Sequence, residues 1–168
     1  MRRVKEAGLN GLILEFGVAG GSSTRTIARN AQPRMVHGFD SFEGLPADWL
    51  GTHEQKGRYT QHGRLPRVPA NVKLHKGWFD QTLPGFLAGN PGPVSFINVD
   101  CDVYDSTRYV LEQLADRFRP GSIIMFDEYY NYPNWREHEF RAWQEFVKAR
   151  NIAYRYTGLS TMRYHAAV

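Results

Sequence analysis

The chain has 168 residues, the length of a single domain that is large enough to bury a hydrophobic core. Hydrophobic residues make up 42% and charged residues 23%, so the composition excludes a disordered or fibrous chain. The formal net charge of +4 is modest, and the basic residues form no dense stripe, so we do not expect a nucleic-acid binder.

Targeting and redox features of the sequence favour a cytoplasmic protein. No apolar run is long enough to span a bilayer, and the N-terminal MRRVKEAGLNG lacks the apolar region of a signal peptide. Cys101 is the single cysteine, which excludes an intramolecular disulfide and fits a reducing compartment. Asp100 and Asp102 flank this thiol and should raise its pKa, which argues against a nucleophilic thiolate.

Short apolar runs alternate with amphipathic stretches, the pattern of β–α units around a parallel sheet. Five strands are predicted, at residues 11–17, 35–40, 71–77, 94–100 and 122–128. Helices are expected at residues 22–31, 80–89, 106–118 and 135–150. Two further runs, IAYRYT and TMRYHAA, predict a terminal hairpin. The predicted fold class is α/β, a doubly wound, mostly parallel sheet in one domain over residues 1–168.

Residues 46–70 fit no element well, because they are polar, weakly patterned and punctuated by Gly and Pro. A loop of this length in a compact domain is usually functional or mobile, as a lid or loop insertion is. The alternative is a surface loop that holds one short helix at residues 47–50.

The segment LEFGVAGGSS places three glycines between the first strand and a helix that we expect Ser22 or Ser23 to cap. Glycines such as Gly17 let the backbone approach a ligand, and the helix N-terminus offers N–H groups to an anion. The spacing is not that of a dinucleotide site, and Glu15 would repel a diphosphate. S-adenosylmethionine suits the loop better, since it carries cationic groups near Glu15 and a carboxylate for N–H groups near Ser22 and Ser23.

Residues after the second and third strands are candidates to bind the nucleoside. Asp40 ends the second strand, where an acid accepts both ribose hydroxyls in nucleoside-binding doubly wound sheets; a helix cap or loop acid is the alternative. Ser41 and Phe42 come next and could meet the edge and face of adenine. Gly77 and Trp78 could supply another adenine contact, although Trp78 is more simply a core or rim aromatic.

Carboxylates come directly after the fourth and fifth strands, whose C-terminal ends are neighbours in such a sheet. Asp100 and Asp102 leave the fourth strand on one face, and Asp127 and Glu128 leave the fifth. Unpaired carboxylates repel one another, and Mg²⁺, a hard cation with oxygen ligands, relieves the repulsion. We predict Asp100, Asp127 and Glu128 as metal ligands beside the cofactor, with Asp102 as general base for an acceptor hydroxyl. Solvated acids paired with arginines such as Arg108 or Arg136 are the alternative.

The histidines and the aromatic loop receive weaker interpretations. His37, His75 and His165 fall within predicted strands and are expected to be structural, and His138, between two glutamates, is expected at the surface. The loop YYNYPNW at residues 129–135 is expected either to line an acceptor pocket or to pack against the last helix.

Five blocks of sequence, LEFGVAGGSST, GFDSFEGLP, GWFDQTLP, NVDCDVYDST and FDEYYNYP, together resemble the macrocin O-methyltransferase family over residues 10–146. The resemblance implies a class I, S-adenosylmethionine-dependent enzyme with a seven-stranded Rossmann-like sheet. It also implies Mg²⁺ dependence and transfer of a methyl group to a sugar hydroxyl of a natural product. The family's first metal-binding Asp maps onto Asp100, its proposed base onto Asp102, and its paired acids onto Asp127 and Glu128.

The chain departs from the family at two points. The family usually has Asp-Asp where this chain has Asp127-Glu128, and the longer side chain changes the geometry open to a metal. Family members also carry an N-terminal helical region that helps to cover the site and form dimers, whereas ten residues precede the predicted first strand here. Cover is then expected from residues 46–70 or from a partner subunit of a homo-oligomer.

Two other functions stay open at this point. A catechol-type O-methyltransferase uses a similar metal site, but a lysine base after the fourth-strand acid would favour it, and Tyr104 and Asp105 stand there. A cofactor-binding module without catalysis is the other, and Glu128 in place of Asp favours it. For either enzyme the partner is a hydroxylated small molecule, and neither nucleic acid nor a membrane is expected.

Overall fold

The computed structural model describes residues 2–161 and 163–168, and its strands form one mixed sheet. The strands are β1 Leu12–Phe16, β2 Val36–Asp40, β3 Val72–Lys76, β4 Val94–Val99, β5 Ile123–Phe126, β6 Gly158–Leu159 and β7 Ala166–Ala167. Their order across the sheet is β3-β2-β1-β4-β5-β7-β6, with β1 to β5 parallel and β7 antiparallel to both of its neighbours. The predicted α/β fold class is confirmed.

Helices cover both faces of the sheet. They are α1 Arg2–Ala7, α2 Ser22–Ala31, α3 Phe79–Gly89, α4 Tyr104–Leu114 and α5 Glu139–Ala149. Residues of α3, α4 and α5 share the larger buried core with the sheet, and α1 and α2 share a smaller one. Among the described residues, no helix combines the length and the apolar character that crossing a membrane requires.

The register of the parallel strands brings their carboxyl ends to one edge. Phe16 of β1 lies beside Phe39 of β2 and Val99 of β4, and Val99 in turn lies beside Phe126 of β5. Every residue of β4 is buried, which is usual for a parallel strand covered on both faces. The residues just beyond these four strands therefore emerge next to one another.

The predicted bounds of α2 are confirmed, but its N-cap and the starts of α4 and α5 differ from the prediction. Gly21, at a φ of +77°, takes the N-cap position of α2, so Ser22 and Ser23 belong to the helix itself. Helix α4 starts at Tyr104, so Asp105 lies in its first turn, where a carboxylate suits the positive end of the helix dipole. Helix α5 begins at Glu139, because residues 135–137 form a separate 3₁₀ turn.

The terminal hairpin exists: β7 lies at the end of the second predicted run, whereas β6 follows the first predicted run instead of lying within it. The alternating run at residues 152–157 is not a strand: Tyr154 packs on α5, and the hydroxyl of Tyr156 lies 2.9 Å from that of Tyr129. The rings of Tyr154 and Trp143 are 5.2 Å apart, and Gln144 donates to Tyr154 Oη at 3.0 Å. Met162, in the second predicted run, lies outside the described residues.

Residues 46–70 form a loop of successive turns, so the alternative of a short helix at residues 47–50 is wrong. The loop folds on itself: Leu45 N–H donates to Arg58 O at 2.9 Å, and Trp49 N–H donates to Glu54 O at 2.9 Å. Trp49 is buried with Leu45 and Val103, so a small apolar cluster holds the loop beside the end of β4.

Two histidines on β2 and β3 form a close pair, in agreement with their predicted structural role. His37 Nδ1 lies 3.1 Å from His75 Nε2, and the His75 ring stacks on Phe39 with centroids 4.5 Å apart. Burial lowers the pKa of both rings, and for His75, with the neighbouring His37 and Lys73, to about 4. Both rings are therefore neutral in the folded protein at neutral pH.

We predict that this pair makes the fold sensitive to mild acid. Between pH 6.5 and about 4 these histidines bind protons in the unfolded chain but not in the folded protein. Their contribution to the free energy of unfolding therefore falls as the pH falls. Relative to wild type, His75→Gln should therefore gain melting temperature as the pH falls from 7.5 to 5, because it lacks this proton uptake on unfolding. His53→Gln, at an exposed position, is the matched control. Equal pH slopes for wild type and His75→Gln would contradict the prediction.

Candidate active site

The glycine loop after β1 runs directly against the end of β4. Gly17 has a φ of +90°, and a Cβ atom placed on it would lie 1.8 Å from the carbonyl oxygen of Asp100. The contact is fixed from both sides, since Gly17 N–H donates to Phe39 O at 3.0 Å and Asp100 N–H donates to Phe16 O at 2.8 Å. A side chain at position 17 is therefore excluded by the backbone of the neighbouring strand.

Asp40, at the end of β2, holds the glycine loop in shape. Its Oδ2 atom accepts the N–H groups of Val18 and Ala19 at 2.7 Å each, and its Oδ1 atom accepts the N–H of Phe42 at 2.6 Å. Such charge-assisted bonds to main-chain donors are among the stronger ones in proteins. The Gly77 N–H donates to Asp40 O at 2.9 Å, so the exit of β3 is tied to the same residue.

Glu15 lies in the interior behind the loop. It is fully buried, Thr24 Oγ1 donates to its Oε2 atom, and Asn98 Nδ2 donates to its Oε1 atom at 3.2 Å. Burial raises its pKa to about 7, although hydrogen bonds from Thr24, Ser23 and Asn98 oppose the rise. Glu15 thus ties β1 to α2 and β4.

A cleft of about 980 Å³ opens at the carboxyl edge of the sheet. Of the predicted site residues, those that line it are Gly17, Asp40, Ser41, Trp78, Asp100, Asp102 and Glu128. The others do not border it: Glu15, Ser22, Ser23, Phe42, Gly77 and Asp127. Phe42 is buried, and Trp78 is 37% exposed, so the tryptophan belongs to the rim of the cleft rather than to the core.

Three carboxylates gather where the sequence predicts a metal. One oxygen each from Asp100, Asp127 and Glu128 lie within 4.8 Å of one another. Burial, followed by the charges of Asp127 and Asp102, raises the pKa of Asp100 well above its usual range. Burial, followed by the charges of Glu139 and Asp102, raises the pKa of Glu128 to about 12. These acids lie too close together for all of them to be ionised without a compensating cation.

No arginine whose side chain the structure describes forms an ion pair with Asp100, Asp102 or Glu128, so the alternative of pairing with Arg108 or Arg136 is wrong. Arg108 instead pairs with Glu112 at 3.0 Å, and Arg136 lies 4.2 Å from the ring centre of Trp135. Glu128 Oε2 is buried and accepts no hydrogen bond from the described residues. A buried, unpartnered carboxylate oxygen is costly, and a bound cation would satisfy it.

Asp102 enters the same cleft from the loop after β4. Its φ is +63°, a conformation that Asp adopts more readily than most residues, and the next peptide turns back as Val103 N–H donates to Cys101 O at 2.6 Å. Burial, followed by the charges of Asp127 and Glu54, raises its pKa to about 7. Burial, with the charges of Glu139 and Asp100, also raises the pKa of Cys101, as predicted for an inert thiol.

Three residues that the sequence did not assign to the site adjoin it. His165 Nδ1 lies 3.0 Å from Asp127 Oδ1 and 2.7 Å from Asp127 O, so it can orient a predicted metal ligand. Glu139 is fully buried and accepts the N–H groups of Cys101 at 3.2 Å and Glu128 at 3.1 Å. Neither contact could be found from local periodicity in the sequence. The two partners of each contact lie far apart along the chain or in different elements.

His138 is the third, and its predicted surface position is wrong. It is 4% exposed and lines the cleft, and its Nε2–H donates to Leu50 O at 2.8 Å. The ring is covered because Trp49 and Tyr132 pack against it, with ring centres 6.1 Å and 6.4 Å away. His138 therefore fastens the loop at residues 46–70 to the start of α5.

The loop at residues 129–135 packs rather than lining an acceptor pocket. Tyr129 and Trp135 both lie edge-on to Phe140 of α5, with ring centres 5.2 Å and 4.7 Å away. Of this loop, Asn134 is the residue that borders the cleft. The cleft takes its aromatic lining instead from Trp78, Phe79 and tyrosines 59, 104 and 109.

Comparison with known proteins assigns this fold and edge site to a family. A family model described as a methyltransferase domain matches residues 14–129, more than half of the chain. The chain belongs to this methyltransferase family. The matched segment of the methyltransferase domain runs from β1 through the glycine loop and both acidic strand ends, so it includes most of the predicted site.

Individual relatives of the methyltransferase domain act on natural products, as the resemblance implied. The chain is 34% identical over 144 residues to the 8-demethyl-8-(2,3-dimethoxy-alpha-L-rhamnosyl)-tetracenomycin-C 4'-O-methyltransferase of Streptomyces olivaceus. That alignment covers 73% of this chain and 54% of the relative, so the chain spans about half the length of the curated protein it matches.

Solved structures agree on the fold. The calicheamicin methyltransferase CalS11 has a TM-score of 0.75 at 25% identity, over 99% of this chain and 74% of that one. The O-methyltransferase NovP has a TM-score of 0.72 at 22% identity with the same coverage, a likeness of fold alone. The predicted resemblance to sugar O-methyltransferases is confirmed.

We predict that Gly17→Ala destabilises the protein, because the added methyl would meet the Asp100 carbonyl at a left-handed φ. The free energy of unfolding should fall by about 3 kcal/mol or more in urea denaturation. Gly20→Ala is the control in the same loop, since a Cβ there meets nothing within 4 Å, and it should cost less than about 1 kcal/mol. Similar losses for the two variants would refute the close approach as the cause.

Proposed function

We propose that the domain transfers a methyl group from S-adenosylmethionine to a hydroxyl of a sugar in a natural product, with Mg²⁺ at the acidic cluster. The observation that carries the proposal is the convergence of Asp100, Asp127 and Glu128 within 4.8 Å, next to a glycine loop in a methyltransferase fold. A rhamnosyl-directed relative at 34% identity favours a deoxysugar acceptor.

The cofactor would lie along the glycine loop. Gly17 gives the backbone room, and Asp40 and Ser41 line the cleft where the ribose is expected. Asp40 already accepts three main-chain N–H groups, two at Oδ2 and one at Oδ1, so one acceptor site on Oδ1 is left for a single ribose hydroxyl rather than for both. Trp78 on the rim offers a face for adenine, and Glu15, through Thr24 and Asn98, ties β1 to α2 and β4 behind the site.

The donor set fits Mg²⁺. Asp100, Asp127 and Glu128 supply oxygen ligands without a competing arginine, and the buried Glu128 Oε2 lacks another partner among the described residues. His165 holds the carboxylate of Asp127 in orientation. When bound, the cation would lower the pKa of the acceptor hydroxyl and orient its oxygen.

Asp102 is the proposed general base, because it lines the cleft beside the cluster without belonging to it. It would take the hydroxyl proton while the acceptor oxygen attacks the methyl carbon. The carbon–oxygen bond forms as the carbon–sulfur bond breaks, and the electron pair returns to sulfur. The products are the methyl ether and S-adenosylhomocysteine, with the proton on Asp102.

Calorimetry with S-adenosylmethionine, with and without Mg²⁺, followed by methyl-transfer assays, tests the proposal. We expect cofactor binding, with turnover on a rhamnosylated acceptor that stops in EDTA and returns with Mg²⁺. Absence of cofactor binding would refute the methyltransferase proposal for this chain. Turnover on catechol alone would favour the catechol-type enzyme, and metal-indifferent binding without turnover on any acceptor would favour the non-catalytic module.

Asp102→Asn should separate binding from chemistry. The variant loses the proton acceptor but keeps its shape, so turnover should fall by roughly 10²- to 10⁴-fold while calorimetric affinity for S-adenosylmethionine stays near wild type. Asp116→Asn, on the surface opposite Arg150, is the control and should keep full activity. A fully active Asp102→Asn enzyme would show that another group takes the proton.

A further inference from the structure

A single buried carboxylate joins the two loops that carry the acidic cluster. Glu139 is the first residue of α5 and is fully buried. Its Oε1 atom accepts the N–H of Cys101 at 3.2 Å, and its Oε2 atom accepts the N–H of Glu128 at 3.1 Å. Cys101 stands between Asp100 and Asp102, and Glu128 is itself a proposed metal ligand, so both bonds end at the cluster.

The sheet alone does not set the spacing of these loops. The pairing of β4 with β5 ends at Val99 and Phe126. One further main-chain hydrogen bond follows, donated by Asp127 N–H to Val99 O at 2.9 Å. Beyond that bond, the side chain of Glu139 hydrogen-bonds to both loops, at the N–H groups of Cys101 and Glu128. Main-chain bonds hold Asp100 to Phe16 and Asp127 to Val99, and Glu139 adds the link between Cys101 and Glu128, one residue further along each loop.

Burying a carboxylate to link the two loops costs free energy. Glu139 is buried against the charges of Asp102 and Asp127, which raise its pKa together with burial. The start of α5 offsets part of this cost through its dipole. Two main-chain N–H groups need two acceptor oxygens, however, and a glutamine could supply only one. Position 139 therefore requires a side chain with two acceptor oxygens, one for each loop.

We propose that Glu139 is a positioning residue for the metal site, which sets the separation of Asp100 from Glu128 by bridging the main chains of their two loops. The inference rests on the proposed metal dependence. Groups that orient metal ligands without touching the metal typically change metal affinity 10- to 100-fold when they are altered. Glu139 should act in this way, although it does not line the cleft.

The test compares Glu139→Gln and Glu139→Asp with wild type. Gln keeps the length but loses one acceptor, and Asp keeps the charge but is too short to bridge both N–H groups. Binding of Mn²⁺, a paramagnetic stand-in for Mg²⁺, is measured by electron paramagnetic resonance, and S-adenosylhomocysteine binding by calorimetry. Both variants should lose Mn²⁺ affinity by about 10-fold or more and keep nucleoside affinity within about 2-fold. Glu112→Gln, an exposed position on α4, is the control.

Two results would overturn the proposal while leaving the proposed function intact. Wild-type Mn²⁺ affinity in both variants would show that the bridge does not position the ligands. Loss in Glu139→Gln alone, with full affinity in Glu139→Asp, would show that the charge of Glu139 matters and its reach does not. If the wild-type protein binds no Mn²⁺, both the proposed metal dependence and this inference are wrong. Methyl transfer is measured in its own assay, so the proposed activity is tested independently.

Amide hydrogen exchange of the wild-type protein provides a second test that needs no variant. The N–H groups of Cys101 and Glu128 should exchange slowly, and more slowly still with Mg²⁺, because the bridge and the metal hold the same loops. Exchange as fast as at exposed amides without a hydrogen bond would overturn the proposal even if both variants fail to fold.

Discussion

The shared register of four parallel strands is the constraint on which the rest of the site depends. Because Phe16, Phe39, Val99 and Phe126 lie side by side, the residues just beyond them emerge at one edge of the sheet. A register slip in β4 would turn its side chains to the opposite face of the sheet. Because β4 is buried on both faces, such a slip would exchange its two buried faces and disrupt the close packing on each, so the packing of the core protects the geometry of the acids.

Residues at the exit of a strand are easier to predict from the sequence than side chains that pack behind it. Three glycines after one apolar run, and acids after three others, were enough to place Gly17, Asp40 and the acidic cluster at one edge. Glu15 lies within β1, and its side chain turns inward to Thr24 and Asn98, which no pattern in the sequence reveals. Glu139 and His165 were missed for the same reason, since their partners come from other elements.

Alternation of apolar and polar residues misled the prediction at residues 152–157, where tyrosines recur at every second position. Their hydroxyls enter a network with Tyr129 and Gln144, so packing on a helix produced the period of a strand. The sequence also did not reveal the contact that holds residues 46–70 in place. The bond from His138 to Leu50 spans 88 positions, and a histidine between two glutamates looks solvated until the fold brings a carbonyl to it.

Asp40 has a consequence for how a ligand enters. Its bonds to Val18, Ala19 and Phe42 fix the glycine loop through the protein's own contacts. A ligand that meets a loop already ordered loses little conformational entropy there on binding, which is the advantage of preorganisation. The entropic cost of ordering this loop thus falls on the folding of the chain, and the free energy of the ligand's contacts remains available for affinity.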